Sequence, residues 1–265
     1  MAAVSTTTIG VLMHPFVRLS RNCLGQIVDP IRMVRGFVRF RSYFSDWRRY
    51  SRMTNAETLK LVNAVPQLHE RTYTTPFDAH YFYVNGWAMR RIANQPISLH
   101  VDIASQTIFA NLLSATVPVL FVDYRPLNAS LSGLSTMGGN LLQLPFANGS
   151  INSLSCLHVI ENIGLGRYGD PLDPHGTRKA TAELIRVLKP GGNLYVATPV
   201  GRPRLCFNAH RIHTAQTICN YFSELELIEF SGVDDENNFM EQVHLATFDD
   251  CEYACGFFRF ARQEK

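Results

Sequence analysis

The 265-residue chain lacks several features that would place a protein in a common class at once. Its six cysteines include no pair at CxxC spacing, so zinc-finger and thioredoxin-type sites lack their signature. It contains no run of 18 apolar residues and no apolar core of signal-peptide type near the N-terminus. It also has no internal repeat and no low-complexity tract. We therefore expect neither a spanning helix nor a disulfide framework, but a reduced, intracellular protein.

The composition is that of a globular protein with an uneven charge. Hydrophobic residues make up 46% and charged residues 18% of a chain that is long enough for one large α/β domain. Residues 1–53 hold nine Arg against two Asp, a net charge of +7, so the remainder carries −4 of the total of +3. We predict a basic N-terminal extension, residues 1–53, and a body, residues 54–265. A mildly acidic body argues against nucleic-acid binding.

The segment from Asp29 to Tyr50 predicts a basic amphipathic helix. Asp29 suits the cap and Pro30 the first helical position, and apolar and Arg side chains recur on separate faces. Two interpretations stay open: the helix packs on the body with its Arg face in water, or residues 30–50 lie on an anionic membrane surface. The expected location is cytoplasmic, with a membrane-peripheral or organellar location as the alternative, because an Arg-rich, acid-poor N-terminus resembles a transit segment.

The body alternates between strand and helix patterns. Apolar runs predict seven strands, at residues 97–103, 118–123, 131–142, 153–159, 193–198, 225–231 and 254–261, the last one antiparallel. Helical patterns occupy residues 54–68, 79–93, 104–114, 181–188 and 214–222. Such alternation is typical of an open, mostly parallel α/β sheet that binds ligands at the carboxyl ends of its strands.

Two motifs of the body resemble known families. The segments LPFANGSINSLSCLHVIENI (144–163) and ELIRVLKPGGNLYVATP (183–199) together resemble class I S-adenosylmethionine (SAM)-dependent methyltransferases. HYFYVNGW (80–87), VDYRPL (122–127), LHVIENIGLGRYGDPLDPHG (157–176) and FNAHRI (207–212) resemble a family of Caenorhabditis proteins of unknown function with a methyltransferase-like core. The resemblance spans about residues 50–260. It implies a seven-stranded, Rossmann-like methyltransferase sheet with an antiparallel last strand and an N-terminal helical extension.

The resemblance also implies a SAM site with three parts. A tight turn after the first strand lets backbone approach the ligand, an acid ends the second strand and binds the ribose, and a polar residue before the fourth strand meets the adenine. The corresponding residues are Asp102, Ala104 and Ser105 at the turn, then Asp123, then Asn140. The glycines usual at the turn are absent, and Asp102 and Ser105 could simply cap the next helix. SAM binding and a degenerate site therefore both stay open.

Polar residues after the fourth strand suggest acid–base chemistry. His158 beside Glu161 is a candidate general base, or else a half-buried histidine that orders the loop. The candidate acceptor-binding residues are Arg167, Tyr168, Asp170, His210 and Arg211. The alternative is that Arg167 and Arg211 join an ion-pair network with Asp170 or Asp173. No ligand spacing supports a metal site, so none is predicted.

These patterns support three hypotheses. The chain is a SAM-dependent methyltransferase for a small or glycan-type acceptor, or a catalytically degenerate methyltransferase fold that binds a ligand or a partner. The third hypothesis is a membrane-peripheral scaffold anchored by residues 30–50.

Overall fold

A computed structural model describes residues 30–264 of the chain. The chain divides into two units, Met1–Phe77 and Asp78–Lys265. The predicted boundary between residues 53 and 54 stays a prediction, and Asp29, the expected helix cap, lies outside the described residues. None of the helices within residues 30–264 is long and apolar enough to cross a bilayer. The compartment of the protein stays a prediction as well.

The first unit contains one long helix, α1 (Pro30–Tyr50), where the sequence predicts it. The prediction of a helix at residues 54–68 is wrong, because only a 3-10 turn forms there, at Leu61–Asn63. Its apolar side chains have no core to cover, since Leu61 is 74% and Val62 is 88% exposed. Short helices depend on such packing. Glu57, inside this segment, accepts a hydrogen bond from the hydroxyl of Tyr50.

The second unit is built on one twisted sheet. Its strands in chain order are His100–Ile103 (β1), Val119–Asp123 (β2), Leu134–Gly138 (β3), Ile151–Leu157 (β4), Leu188–Val200 (β5), Arg204–Cys206 (β6), His210–Ile212 (β7), Glu226–Val233 (β8), Phe239–Met240 (β9) and Ala254–Ala261 (β10). The main sheet has the order β3-β2-β1-β4-β5-β10-β8-β9, and β6 and β7 form a separate hairpin.

The direction of the strands confirms the expected fold class. Strands β1 to β5 pair in parallel, and β10 lies antiparallel between β5 and β8. All seven predicted strands are present, and the two-residue β9 adds an eighth at the edge. The β6–β7 hairpin was not predicted, because strands of three residues carry no readable periodicity.

The sheet is apolar on both faces because helices cover both. Along β5, Leu194 and Val196 belong to one core, whereas Tyr195 and Ala197 belong to the core on the opposite face. This alternation follows from the two-residue period of a strand. The fully buried run of β5 therefore reads as continuously apolar in the sequence.

Four helices pack on the sheet: Ala79–Ala93 (α2), Thr107–Leu113 (α3), Gly176–Val187 (α4) and Ala215–Tyr221 (α5). The prediction for α2 is confirmed to the residue. Helix α4 begins five residues before its predicted start, and α3 begins three residues after its own. The late start of α3 has a local cause, since Ala104 has a left-handed φ of 51° and cannot belong to the helix.

Polar contacts fix α2 on the sheet. The Asp78 carboxylate caps its N-terminus by accepting a hydrogen bond from the backbone N–H of Tyr81 at 3.2 Å. Near the other end, the indole N–H of Trp87 donates to Glu229 of β8 at 2.9 Å. Arg91 binds both oxygens of the same carboxylate through two of its nitrogens. Helix α2 is therefore a firm support for the side chains of its first turn.

Candidate functional site

A cavity lies at the carboxyl edge of the sheet, where β1, β2 and β4 end. It holds about 800 Å³ of space, part of it open to solvent. Its lining combines apolar side chains with polar groups from the loops after β1, β2, β3 and β4; of the sequence-predicted residues it includes Ala104, Asp123, Asn140, His158, Tyr168 and Asp170.

The turn after β1 has the backbone of a glycine turn although it carries alanine. Ala104 lines the cavity with φ at 51°, and its N–H donates to the carbonyl of Val122 at 2.8 Å. A Cβ in this left-handed region costs about 1–2 kcal/mol. The sequence therefore keeps a tight turn at a position where glycine would adopt it without strain.

The other two turn residues face the interior. The Ser105 hydroxyl donates to the Asp102 carboxylate at 2.6 Å and accepts from the N–H of Leu157 at 3.0 Å. Asp102 also accepts a hydrogen bond from the hydroxyl of Ser155. Burial raises the pKa of Asp102 to about 6, although the hydrogen bonds from Ser105 and Ser155 oppose the shift. Asp102 and Ser105 thus hold the turn, and neither lines the cavity.

Asp123 ends β2 at the cavity, as the sequence predicts. One of its oxygens accepts a hydrogen bond from the backbone N–H of Arg125 at 2.7 Å, which orients the carboxylate. The Arg125 side chain does not pair with Asp123; its guanidinium lies 4.6 Å from the ring centre of Tyr168. Arg167 lies 5.2 Å from the same ring. Tyr168 is therefore held at the cavity mouth by two cation–π contacts.

Asn140 lines the cavity from the segment after β3. Its side-chain oxygen accepts a hydrogen bond from the N–H of Leu142 at 2.9 Å, so the amide has a fixed orientation. The adjacent Leu141 is buried and Leu142 half-buried, and both line the cavity. An amide flanked by apolar side chains is suited to a flat, polar-edged ring.

The glycine-rich loop after β4 is ordered by its own polar groups. The Asp170 carboxylate accepts from the N–H groups of Gly164 and Tyr168 at 2.8 and 3.2 Å. Gly164 has φ at 79°, and a Cβ there would lie 2.2 Å from the carbonyl oxygen of Asp173. Arg167 donates to Asn162 and to the carbonyl of Ala209. These contacts give the loop one defined path beside the cavity.

The β6–β7 hairpin supplies the last two predicted residues. Arg211 donates to the carbonyls of Ile163 and Asp173 at 2.6 and 3.1 Å and so ties the hairpin to the loop after β4. The His210 ring stacks on Tyr253 with a centroid distance of 4.9 Å. Neither residue lines the cavity. Their predicted role in binding an acceptor stays a prediction.

His158 is enclosed by other polar side chains at the cavity wall. Its Nε2 lies 3.2 Å from the sulfur of Cys255, and its Nδ1 lies 3.6 Å from Glu161. Its ring is also in contact with the rings of His80 and Tyr81, at centroid distances of 5.9 and 4.8 Å. Burial lowers the pKa of His158, but Cys255 and Glu161 together raise it well above its ordinary value.

At the neighbouring His80 and Cys255, burial sets the direction of the pKa shift. Burial, together with the charge of His158, lowers the pKa of His80 to about 4. Burial raises the pKa of the Cys255 thiol, and His158 reduces but does not cancel this effect. At neutral pH, His80 is therefore uncharged.

The comparison with protein families supports the resemblance seen in the sequence. Residues 146–253 match the family model described as Caenorhabditis protein of unknown function, DUF268. The matched segment runs from the loop before β4 to the residue before β10, so it carries His158, the glycine-rich loop and the hairpin. No protein of curated function matches the chain in sequence.

Solved structures are similar at low sequence identity. The [4+2]-cyclase SpnF is 12% identical with a TM-score of 0.50, over 69% of this chain and 82% of that chain. The N-methyltransferase NodS of Bradyrhizobium japonicum, solved with S-adenosyl-L-homocysteine, is 15% identical with a TM-score of 0.49, over 69% and 86%. The YcgJ protein of Bacillus subtilis is 14% identical with a TM-score of 0.49, over 69% and 100%. At sequence identities this low, the similarity indicates a shared fold and nothing about function.

The sequence interpretation missed several residues of this region. His80 and Tyr81 of α2, Tyr253 and Cys255 all lie around His158 or its neighbours. His80, Tyr81 and Cys255 carry only helix or strand patterns in the sequence, and each is more than 70 residues away from His158 in the chain. One signal was available: His80 and Tyr81 belong to the HYFYVNGW segment that carries the family resemblance.

Proposed function

We propose that the chain binds S-adenosylmethionine in the cavity at the carboxyl edge and transfers its methyl group to a small or glycan-type acceptor. The observation that carries the proposal is that Ala104, Asp123 and Asn140, from the ends of three different strands or the segments after them, line one cavity. These are three of the positions that the methyltransferase resemblance assigns to the cofactor. When bound, SAM supplies an electrophilic methyl group.

The residues of the cavity fit this cofactor. The left-handed turn at Ala104 keeps the Ser105 side chain out of the cavity, so backbone is accessible where the sequence lacks glycine. Asp123 carries a carboxylate, of which one oxygen binds the N–H of Arg125, so the group is oriented toward a diol rather than free to rotate. Apolar side chains at Val122, Leu141 and Leu142 provide walls for a flat base.

His158 and Glu161 are the groups proposed to assist proton removal from the acceptor; His158 can accept a proton only in its uncharged form, which its raised pKa disfavours near neutral pH. Their side chains are only 6% and 4% exposed, and one oxygen of Glu161 has no hydrogen-bond partner among the residues that the structure describes. Positioning contributes more than proton transfer to a methyl transfer, so loss of either group should slow the reaction rather than abolish it.

Binding of SAM tests the cofactor part of the proposal. Calorimetric titration should give micromolar affinity for the wild-type chain and a loss of at least tenfold for Asp123→Ala. The exposed Asp250→Ala is the matched control, because it removes a carboxylate that does not line the cavity. Equal affinity of the two variants would contradict the role of Asp123.

The rival hypothesis is a degenerate fold that binds without catalysis. It is favoured by the strained alanine at the turn, where glycine would be expected. Incubation of the protein with tritiated SAM and an extract of small molecules and glycans distinguishes the two hypotheses. Methyl incorporation that is reduced in Glu161→Gln supports the enzyme, whereas SAM binding without any incorporation by the wild type supports the degenerate fold.

We also propose that α1 lies on an anionic membrane surface. In this helix Val34, Phe37 and Val38 are 65%, 72% and 65% exposed. The exposed surface of its second half carries four arginines within or just after the helix: Arg41, Arg48, Arg49 and Arg52. Apolar and basic side chains on one helix are the combination that binds anionic lipid surfaces.

Sedimentation with lipid vesicles tests this second proposal. The full chain should bind phosphatidylserine vesicles and should bind neutral phosphatidylcholine vesicles several-fold less. Phe37→Asp should reduce the binding, whereas Leu61→Asp, at an equally exposed position outside α1, should not. Equal recovery of Phe37→Asp and the wild type with anionic vesicles would contradict the proposal.

A further inference from the structure

Three potential metal ligands meet behind the cavity wall. A ring nitrogen of His80, a ring nitrogen of His158 and the sulfur of Cys255 all lie within 4.8 Å of one another. They come from the first turn of α2, the residue after β4 and the second residue of β10. Within residues 30–264, no other three His, Cys, Asp or Glu side chains come together in this way. We call this group the His–His–Cys cluster.

We propose that the His–His–Cys cluster is a zinc site with one open coordination position. Two imidazole nitrogens and one thiolate are ligands that zinc prefers, and three protein ligands leave the fourth tetrahedral position free. The zinc–nitrogen and zinc–sulfur bond lengths imply ligand separations of roughly 3.3–3.6 Å. The distance of 3.2 Å between Nε2 of His158 and the Cys255 sulfur is close to that value. A side-chain rotation of His80 would complete the set.

Glu161 provides independent support for the site. Zinc-bound histidines usually donate their second ring N–H to a carboxylate, which fixes the ring and its tautomer. The Glu161 carboxylate lies 3.6 Å from Nδ1 of His158, the nitrogen that faces away from Cys255. Its other oxygen is buried without a hydrogen-bond partner in the described part of the chain. A buried acid with incomplete partners is costly in an apoprotein, and a bound cation next to it offsets that cost.

The secondary-structure elements that carry the ligands also favour a metal site, because they hold the ligand side chains in place. His80 is held by α2, whose far end is anchored by Trp87 and Arg91 to Glu229. Cys255 lies in β10, which is paired on both sides by β5 and β8. Rigid elements hold ligands more accurately than loops do. The aromatic rings of Tyr81 and Tyr253 lie against the two histidines and limit solvent access to the cluster.

The protonation of the cluster sets the pH dependence of binding. Zinc binds cysteine as the thiolate and histidine as the uncharged imidazole, so zinc binding should release protons and weaken as the pH falls. A zinc ion on Nε2 of His158 would leave Nδ1 to donate to Glu161, so His158 could not act as a base in the zinc-loaded protein. The zinc proposal does not rest on the proposed methyl transfer.

Cobalt(II) is the probe for this site, because thiolate coordination to cobalt gives a charge-transfer absorption that imidazole and carboxylate ligands do not give. The full-length chain is stripped with a chelator, titrated with Co²⁺, and then with Zn²⁺ as competitor. We expect one equivalent of Co²⁺ to bind with a thiolate band and tetrahedral d–d bands, and one equivalent of Zn²⁺ to remove both. Absence of the thiolate band in the wild-type chain would overturn the proposal without any variant.

Variants assign the ligands. Cys255→Ser and His80→Ala should weaken zinc binding at least 100-fold, and Glu161→Gln should weaken it about 10- to 100-fold. Cys219→Ser and His244→Ala are the matched controls, because both lie outside the cluster, and they should bind zinc as the wild type does. Unchanged zinc affinity of a folded His80→Ala, or a thiolate band that persists in Cys255→Ser and disappears in Cys219→Ser, would overturn the assignment. Circular dichroism checks that each variant is folded.

Discussion

The Nδ1 of His158 lies 3.6 Å from Oε1 of Glu161, and the two side chains are 6% and 4% exposed. A histidine and a carboxylate this deeply buried influence each other strongly, because little water screens their charges. The raised pKa of His158 depends on this neighbour and on Cys255. The ionisation of His158 should therefore respond to a change at Glu161.

Glu161→Gln should lower the pKa of His158, measured by NMR titration of its ring protons. Because a raised histidine pKa stabilises the folded state fully below its ordinary value of 6.5, the variant should lose stability mostly at pH values below 6.5. This loss should shrink as the pH rises through the pKa of His158 in the folded wild type. The exposed Glu224→Gln is the control. A His158 pKa that is equal in wild type and Glu161→Gln would contradict the coupling.

Asp102→Asn should change how stability depends on pH between about 4 and 6. The pKa of Asp102 is raised from 3.8 to about 6, so the carboxylate destabilises the folded state progressively as the pH rises through that window. The variant lacks this effect. Its stability relative to wild type should therefore increase with pH by up to about 3 kcal/mol and level off above pH 6. Urea unfolding at a series of pH values measures it, and a relative stability independent of pH would refute the burial argument.

Ala104→Leu should block the cavity without unfolding the protein. Most of the cost of the left-handed turn comes from the Cβ that alanine already has, so the melting temperature should stay close to that of the wild type. The added carbons reach into the cavity that Ala104 lines, so SAM binding should be lost. Ala104→Gly is the matched control and should bind SAM at least as tightly as the wild type. SAM binding by Ala104→Leu with unchanged affinity would show that this turn does not contact the ligand.

Glu229→Ala should destabilise the protein far more than Glu241→Ala, although both carboxylates pair with Arg91. Glu229 is 9% exposed and also accepts from Trp87, whereas Glu241 is 55% exposed. Loss of the buried partner leaves the indole N–H of Trp87 without its acceptor and leaves Arg91 with only the exposed Glu241 as an ion-pair partner, which costs about 3 kcal/mol. Loss of the exposed partner costs about 0–1 kcal/mol. Chemical denaturation of both variants measures their free energies of unfolding. Equal losses of stability in the two variants would mean that the burial of Glu229 does not determine its contribution.

The sheet could be predicted from the sequence because each buried strand and each covering helix leaves a local pattern. Helix α2 could be predicted at residues 79–93 because its apolar side chains recur at helical spacing; the structure adds Asp78 as its cap. Asp123 could be assigned to the cavity because an acid at the end of a parallel strand has a defined position in such a fold. The prediction of a helix at residues 54–68 was wrong because the apolar side chains of this segment are exposed, so no packing against a core stabilises a helix there.

The surroundings of His158 could not be predicted in the same way. His80, Glu161 and Cys255 approach it from different elements, and only the three-dimensional pairing of β10 with β5 brings Cys255 beside the end of β4. The direction of the Ser105 side chain was also open, since a capping serine and a ligand-binding serine look alike in a sequence. Its hydrogen bonds to Asp102 and Leu157 direct it into the interior.

The central claim is that a nucleoside ligand can occupy the cavity between the turn at Ala104 and the carboxylate of Asp123. Calorimetric titration of the wild-type chain with S-adenosylhomocysteine tests it most directly, because this product binds without needing an acceptor. The account predicts saturable binding of one molecule per chain with micromolar affinity. The absence of measurable binding of both S-adenosylhomocysteine and S-adenosylmethionine to the folded chain would contradict it.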